Sequence, residues 1–415
     1  MKKQSYILML GAALVLAACQ KEAQPLTIER TSGIHTVEPG TEQTAPYLEG
    51  TGTVNEVRDA KYYENLRAWK KAAFDKDGIT TRSISYIFFA DYGSMAFRFA
   101  DIPDSLDVIN LWGGVPKFGS LDYMEMKACQ TVKGMKVVGC KITRLLENNS
   151  WCMEAEIPSF MKAYNAYKYD NMGKVLQGKM SEQELESAAR DAGAEACRAD
   201  AKAHKTVDEN GNYPEWVVYG AQVILDEIEK YGLDGYDLDY EPSGYGGEKD
   251  EPFADGTSMT TFLTYLSQFI GPKSGKEGSL LIVDTNSGAG NASWAPMCNF
   301  WIYQKYGGLG GASGASEGDF NTGNLDPQAG WVPAKIITTE NVGDMWASGC
   351  GVLEQMAGFQ PSTCGQQYGH KGGFASFHGQ RDWNLEGAEE GKKLHYQHHI
   401  MGIRAQQKVD YYKAN

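Results

Sequence analysis

Three acidic residues alternate along one short stretch near the middle of the chain. Asp237, Asp239 and Glu241 are spaced two residues apart, and a β-strand places side chains at that spacing on one face. Carboxyl groups this close raise one another's pKa, so at least one holds a proton at neutral pH. A carboxyl group that keeps its proton at neutral pH can act as a general acid. The alternative is an acidic strand end that binds a cation or lines a solvated rim.

The residues between the acids favour a strand. Leu238 and Tyr240 alternate with the carboxyls and would face the opposite side. In a β/α barrel, Glu241 would lie nearest the carboxyl end of the strand, where barrel active sites are built. This order predicts proton transfer for Glu241 and orienting and tuning roles for Asp239 and Asp237.

The stretch resembles the signature of glycoside hydrolase family 18, D-G-x-D-x-D-x-E, a family of chitinases and endo-β-N-acetylglucosaminidases. Asp234, Gly235, Asp237, Asp239 and Glu241 match every fixed position. The resemblance implies an α/β fold, a single (β/α)8 TIM barrel with elaborated βα loops. It also adds Asp234 to the substrate-binding residues.

The family resemblance further implies substrate-assisted catalysis. Glu241 protonates the glycosidic oxygen while the substrate's own 2-acetamido group attacks the anomeric carbon, replacing an enzyme nucleophile. Asp239 holds the acetamido N–H, Asp237 tunes Asp239, and Glu241 then acts as a base toward water, with retention of configuration. No metal and no organic cofactor is expected.

A second pattern narrows the substrate. Gln304 and Tyr306 lie on one side of the sixth predicted strand, and this Gln-x-Tyr is similar to family 18 endoglycosidases that cut the chitobiose core of N-glycans. Tyr306 would donate to the acetamido oxygen. Family chitinases more often have a Tyr-Asp pair here, and Tyr306 is followed by Gly307. The alternative is that Gln304 and Tyr306 are ordinary polar residues of the barrel.

An aromatic floor for the sugar is expected near the end of the eighth strand. Phe377 and Trp383 are the candidates, and we favour Trp383. Trp112 follows strand two, and for this residue the alternative to a ligand contact is a place in the core. Tyr86 and Phe88, inside strand one, are predicted to pack rather than to contact ligand.

Helical patterns alternate with apolar runs of strand length, which predicts βα units and a parallel sheet. A long connection at residues 153–204 is predicted to elaborate the active face. The eight predicted strands are residues 83–90, 105–112, 134–140, 233–241, 279–285, 300–306, 335–339 and 373–377. The predicted helices are residues 62–74, 123–132, 182–202, 214–230, 259–269 and 394–411.

The amino terminus has the features of a secretory signal. Lys2 and Lys3 precede an apolar run at residues 6–15, and small residues precede Cys19 as in a bacterial lipobox. We therefore expect a signal peptide at residues 1–18, lipidated Cys19 with a flexible tether at 19–52, and a barrel at 53–415. The expected location is the bacterial cell envelope, anchored by lipid to the outer membrane on its surface or periplasmic face.

Composition limits the partners. The formal net charge of −14 argues against nucleic acid and against anionic lipid surfaces. A neutral glycan is compatible with this charge, and the aromatic content of 11% suits stacking on sugar rings. We expect an N-glycan or N-acetylglucosamine oligosaccharide as partner, membrane contact only through the lipid, and a monomer.

Cysteine and histidine spacing predicts no metal site. No C-x-x-C occurs, and Cys350 with Cys364 is a possible disulfide. His395, His398 and His399 lack carboxylate or thiolate partners at matching spacing, so an exposed helix face is predicted for them.

Three functions remain open on these grounds. The first is an endo-β-N-acetylglucosaminidase that releases N-glycans. The second is a chitinase that acts on N-acetylglucosamine polymers, which the missing Tyr-Asp pair disfavours. The third is a non-catalytic surface glycan-binding lipoprotein, which the presence of the acid Glu241 disfavours.

Overall fold

The computed structural model describes fourteen segments of the chain. They are residues 34–36, 48–50, 60–74, 78–92, 97–99, 102–143, 151–241, 256–286, 291–306, 314–320, 330–345, 350–362, 370–383 and 397–414. Cys19 and the other residues of the predicted signal and lipobox lie outside them. Among the described residues, no helix is both long and apolar enough to cross a bilayer.

Eight parallel strands close into a barrel, each pairing with the next and the last with the first. This confirms the predicted α/β barrel. The strands are β3 (Ile84–Phe88), β4 (Val108–Leu111), β5 (Lys136–Ile142), β6 (Gly235–Asp239), β7 (Leu280–Thr285), β8 (Phe300–Gln304), β9 (Ile336–Asn341) and β10 (Gly373–Phe377). Before the barrel, the short strands β1 (Ile34–Thr36) and β2 (Leu48–Gly50) pair antiparallel within the predicted tether.

Helices follow most of the strands, as a β/α barrel requires. The described helices are α1 (Ala60–Ala73), α2 (Leu121–Thr131), α3 (Trp151–Glu154), α4 (Pro158–Leu176), α5 (Glu182–Ala203), α6 (Glu215–Tyr231), α7 (Gly256–Leu266), α8 (Glu317–Phe320), α9 (Leu353–Gly358) and α10 (Gln397–Ala414). The predicted long connection contains two helices, α4 and α5. Sequence periodicity did not predict α4, because only Phe160 and Tyr164 of its side chains are buried.

Strand β6 separates two environments by alternation. Tyr236, Leu238 and Tyr240 belong to the core between the barrel and its helices, whereas Asp237 bonds to Tyr86 inside the barrel. The acidic face of the strand therefore points to the barrel axis. The observed strand ends at Asp239, so Glu241 lies just beyond it, at the carboxyl end of the barrel.

Gly235 allows β6 to approach β7. It is opposite Leu280 in the register of the two strands, and a Cβ at this position would lie 2.0 Å from the Leu280 carbonyl oxygen. Any larger residue must therefore push the strands apart. The fixed glycine of the acidic motif thus has a steric reason.

We expect Gly235→Ala to lower the free energy of unfolding by about 1–3 kcal/mol, the usual range for overpacking a core. The measurement is urea denaturation followed by circular dichroism. Gly173→Ala is the matched control: Gly173 lies in α4 with open space around it, so alanine should stabilise the helix by about 0.5–1 kcal/mol. Equal stability of Gly235→Ala and wild type would contradict the steric argument.

Candidate active site

Asp237 is the deepest carboxyl of the acidic face. It is fully buried, and its Oδ2 accepts hydrogen bonds from the Tyr86 hydroxyl at 2.5 Å and from Asn110 Nδ2 at 2.7 Å. Burial raises the pKa of Asp237 to about 7, although the two hydrogen bonds act in the opposite direction. Tyr86 therefore packs in the barrel, as predicted, and also holds this carboxyl.

Asp239 lies one step nearer the carboxyl end and is joined to a second strand. Its register partner on β7 is Asp284. Gln304, at the end of β8, donates from Nε2 to Asp239 Oδ1 at 3.1 Å and to Asp284 Oδ1 at 2.9 Å. One amide group thus bridges two carboxyl groups from neighbouring strands.

Asp284 is the acidic residue that sequence reasoning missed. Burial raises its pKa well above the ordinary value, and the negative charges of Asp239, Asp237 and Glu241 raise it further. The hydrogen bond from Gln304 acts in the opposite direction, and the net effect favours the protonated form of Asp284. The available signal was one acidic residue inside the apolar run Leu-Leu-Ile-Val-Asp of the fifth predicted strand.

Glu241 and Tyr306 lie at the mouth of the cluster. Glu241 is half-buried, and its charge acts on Asp284 and on Tyr306. Desolvation, followed by the charges of Asp284, Asp239 and Glu241, raises the pKa of Tyr306 well above its ordinary value. The phenol of Tyr306 therefore keeps its proton and can donate a hydrogen bond. Its place is two residues beyond β8 rather than within the strand.

An aromatic wall stands beside Tyr306. The Phe377 ring stacks on the Tyr306 ring, with centroids 5.5 Å apart and planes at 21°. Trp112 meets Phe377 edge to face at 4.8 Å. The core alternative for Trp112 is wrong, because its ring packs at the rim of the barrel and is 40% exposed. The structure thus brings Phe377 to the site, whereas the side chain of the favoured candidate, Trp383, lies outside the described part of the chain.

Asp234 is not brought to this cluster. It precedes β6, at the opposite end of the strand from Glu241. Its carboxylate pairs with Lys136 Nζ at 3.0 Å and accepts from Gln130 Nε2 at 2.7 Å and from the Val137 backbone N–H at 2.9 Å. These contacts fasten the start of β6 to β5 and α2.

The alternative function for the acidic strand is to bind a cation. Such a cation would compete with hydrogen-bond donors that already contact the carboxyl groups. The described contacts of Asp237, Asp239 and Asp284 come from a hydroxyl and two amide groups. A cation bound to the oxygens that accept these hydrogen bonds would have to displace the N–H and O–H groups. The cluster is therefore better suited to hold protons and to bind a hydrogen-bonding substrate.

Comparison with known proteins gives one family model that matches part of this barrel. Residues 192–322 match the family model of the endo-beta-N-acetylglucosaminidase EndoS TIM-barrel domain, a segment that contains Asp237, Asp239, Glu241, Asp284 and Gln304. The resemblance to glycoside hydrolase family 18 is confirmed. No curated protein gives a significant match to the chain.

Solved structures share the fold at low identity. A glutamate-to-glutamine variant of the protein BT1044 aligns with a TM-score of 0.50 and 18% identity over 86% of this chain and 92% of its own. An endo-beta-N-acetylglucosaminidase from Cordyceps militaris, solved with fucosyl-N-acetylglucosamine-Asn, gives 0.48 and 17% over 84% and 96%. A family 18 chitinase from Pseudoalteromonas aurantia gives 0.39 and 13% over 73% and 97%.

The raised pKa of Asp237 predicts a pH-dependent stability. An unfolded aspartate titrates near 3.8 and folded Asp237 near 7, so between these values the folded state binds more protons and loses stability as pH rises. Asp237→Asn removes this loss. Between pH 4 and pH 8, we expect the free energy of unfolding of the variant to rise relative to that of wild type by up to about 4 kcal/mol. The measurement is denaturant unfolding at both pH values, and a difference between the two proteins that does not change with pH would contradict the assignment.

Proposed function

We propose that this chain is a retaining glycoside hydrolase that cleaves β-1,4 bonds at N-acetylglucosamine, as an endo-β-N-acetylglucosaminidase of the chitobiose core of N-glycans. The observation that carries the proposal is the amide bridge from Gln304 to Asp239 and Asp284, directly below Glu241 and Tyr306. This arrangement provides an acid, an acceptor for an acetamido N–H and a donor for its carbonyl oxygen. It suits a substrate that supplies its own nucleophile.

The distribution of protons supports separate roles for the carboxyl groups. Burial raises the pKa of Asp284 well above its ordinary value and that of Asp237 to about 7, which favours the protonated forms of both groups. Fewer negative charges then surround Asp239, whose carboxylate holds the acetamido N–H in this proposal. An ionised Asp239 also stabilises the positive charge that develops on the acetamido group as the oxazolinium forms.

Glu241 acts as the proton donor in this proposal. It lies at the mouth of the barrel, where a glycosidic oxygen can reach it, whereas Asp237 and Asp284 are buried below. Protonation of the leaving oxygen breaks the glycosidic bond as the acetamido oxygen attacks the anomeric carbon. Glu241 then takes a proton from the water that opens the intermediate, which restores the acid.

Two features support an endoglycosidase over a chitinase. Gln304 and Tyr306 both take part in the site, with Tyr306 stacked on Phe377, and the matching family model is that of an endo-beta-N-acetylglucosaminidase barrel. The phenol of Tyr306 donates to the acetamido oxygen. The wall of Phe377 and Trp112 offers apolar rings to the sugar face.

We expect Glu241→Gln to lower turnover by about 10²–10⁴-fold, the usual contribution of a general acid, with glycan binding retained. Asp239→Asn should also be severely impaired on an acetamido substrate. Glu195→Gln, an exposed change in α5, is the matched control and should keep wild-type rates. The measurements are turnover and calorimetric glycan binding; full turnover in Glu241→Gln would refute the acid assignment.

The substrate is tested by mass spectrometry of products. Wild type and Glu241→Gln are incubated separately with an N-glycosylated protein and with chitin oligosaccharides. Glycans released from the protein, with one N-acetylglucosamine left on asparagine, are the expected product. Cleavage of chitin alone would establish the chitinase, and binding without cleavage by the wild type would establish the glycan-binding protein.

We also propose that Cys19 carries a lipid that anchors the chain to the outer membrane. The apolar run and the small residues before Cys19 support this. Cell fractionation tests it: the full chain should sediment with membranes, and Cys19→Ser should move to the soluble fraction. Unchanged sedimentation of the variant would contradict lipidation at this residue.

A further inference from the structure

A second cluster of polar side chains lies outside the proposed active site. Cys350 Sγ is 3.3 Å from His398 Nδ1 and 3.5 Å from Asp382 Oδ1, and these last two atoms are 2.8 Å apart. The predicted exposed helix face is thus wrong for His398 and His399, since the first bonds to Asp382 and the second is buried. The sequence could not show this, because Cys350 and Asp382 come from other segments.

Cys350 is a free thiol in the structure, whereas its suggested disulfide partner, Cys364, lies outside the described residues. Cys350 and Asp382 are buried, and the His398 side chain is 22% exposed. Among the described residues, these three form the one group whose ligand atoms lie close enough together to hold a metal ion. His395 also lies outside the described residues.

The separations match those around a tetrahedral ion. Zinc binds sulfur at about 2.3 Å and nitrogen or oxygen at about 2.0–2.1 Å, so tetrahedral ligands lie about 3.5 Å apart when one is sulfur and about 3.3 Å apart otherwise. The two distances from Cys350 agree with this. The distance between His398 and Asp382 is shorter, as a direct hydrogen bond requires, and would open by about 0.5 Å around an ion.

The orientation of His398 favours an ion over a nucleophile. In a catalytic triad, the two ring nitrogens of histidine bond separately to the nucleophile and to the carboxylate. Here a single atom, Nδ1, faces both Cys350 and Asp382. The three candidate ligand atoms therefore lie within 3.5 Å of one another.

We propose that Cys350, Asp382 and His398 bind a divalent transition metal of the zinc class, in a site separate from the acidic cluster. Thiolate, imidazole and carboxylate are the ligands such an ion prefers. Water completes the tetrahedron on the exposed side of His398.

Hydrogen bonds hold Asp382 in place, as they usually do for residues that ligate a metal. Its second oxygen, Oδ2, accepts a hydrogen bond from the His399 backbone N–H at 2.9 Å. The ring of His399 is held in turn, with Nε2 2.7 Å from Ser376 Oγ at the end of β10. Asp382 Oδ1 is thereby aimed at Cys350 and His398.

The proposed ion would tie together three segments that lie far apart in sequence. Cys350 precedes α9, Asp382 belongs to the 3-10 helix Gly379–Trp383, and His398 begins α10. The 3-10 helix follows β10, and its Gln380 bonds to Ala90 and Asp91, just beyond the end of β3. An ion bound there would cross-link these segments and fix the one that continues from the aromatic wall.

The full chain is loaded with zinc, dialysed and analysed for metal, and separately titrated with cobalt. We expect one zinc per chain, a higher Tm with zinc, and a near-ultraviolet charge-transfer band from thiolate to cobalt. Cys350→Ser should lose the band and His398→Gln should lose retained zinc. His204→Gln is the matched control, because His204 pairs with Asp200 through Nδ1 at 2.9 Å on the surface without a thiol.

The decisive result comes from the wild type, so a variant that fails to fold does not obscure it. Absence of stoichiometric zinc and of the cobalt band in the wild-type chain would overturn the proposal. A folded Cys350→Ser that binds cobalt with an unchanged spectrum would do the same. Folding of each variant is checked by circular dichroism.

Discussion

Crowding of carboxyl groups at one end of a closed barrel is the constraint on which this structure depends. Asp237, Asp239 and Asp284 are buried there, with Glu241 above them. Burial penalises each negative charge and every neighbour penalises the next. Hydrogen-bond donors from three other strands, Tyr86, Asn110 and Gln304, stabilise these carboxyl groups. The raised pKa values of Asp237 and Asp284 also favour their protonated forms, which lowers the total negative charge.

The interior of the barrel differs between the buried acidic residues and the residues near its mouth. Beside the acids, the barrel interior is apolar: Ile282 pairs in register with Asp237, and Ile302 pairs with Asp284. The residues proposed to reach a substrate lie at the carboxyl ends of the strands, as Asp239 and Phe377 do, or two residues beyond them, as Glu241 and Tyr306 do. A change in the buried layer therefore acts on the chemistry through protonation and position, without touching the substrate.

The carboxyl ends of the last two strands carry a second polar system. Phe377 ends β10 and contributes to the aromatic wall, and the following 3-10 helix contributes Asp382 to the cluster with Cys350 and His398. The backbone that positions the wall is thus held by polar contacts with α10. The two clusters share this segment but no side chain.

Local patterns determined much of this protein. Alternation in residues 233–241 specified a strand with one acidic face, and apolar runs separated by helical patterns specified the barrel, because both signals depend only on neighbours in sequence. The ends of β6 and β8, helix α4 and the roles of Asp284, Asp234 and Trp112 were decided by tertiary structure. Asp284 became part of the site because the register of β7 places it beside Asp239. Cys350, Asp382 and His398 meet only after the barrel closes, since contacts between distant segments depend on packing that no local spacing encodes.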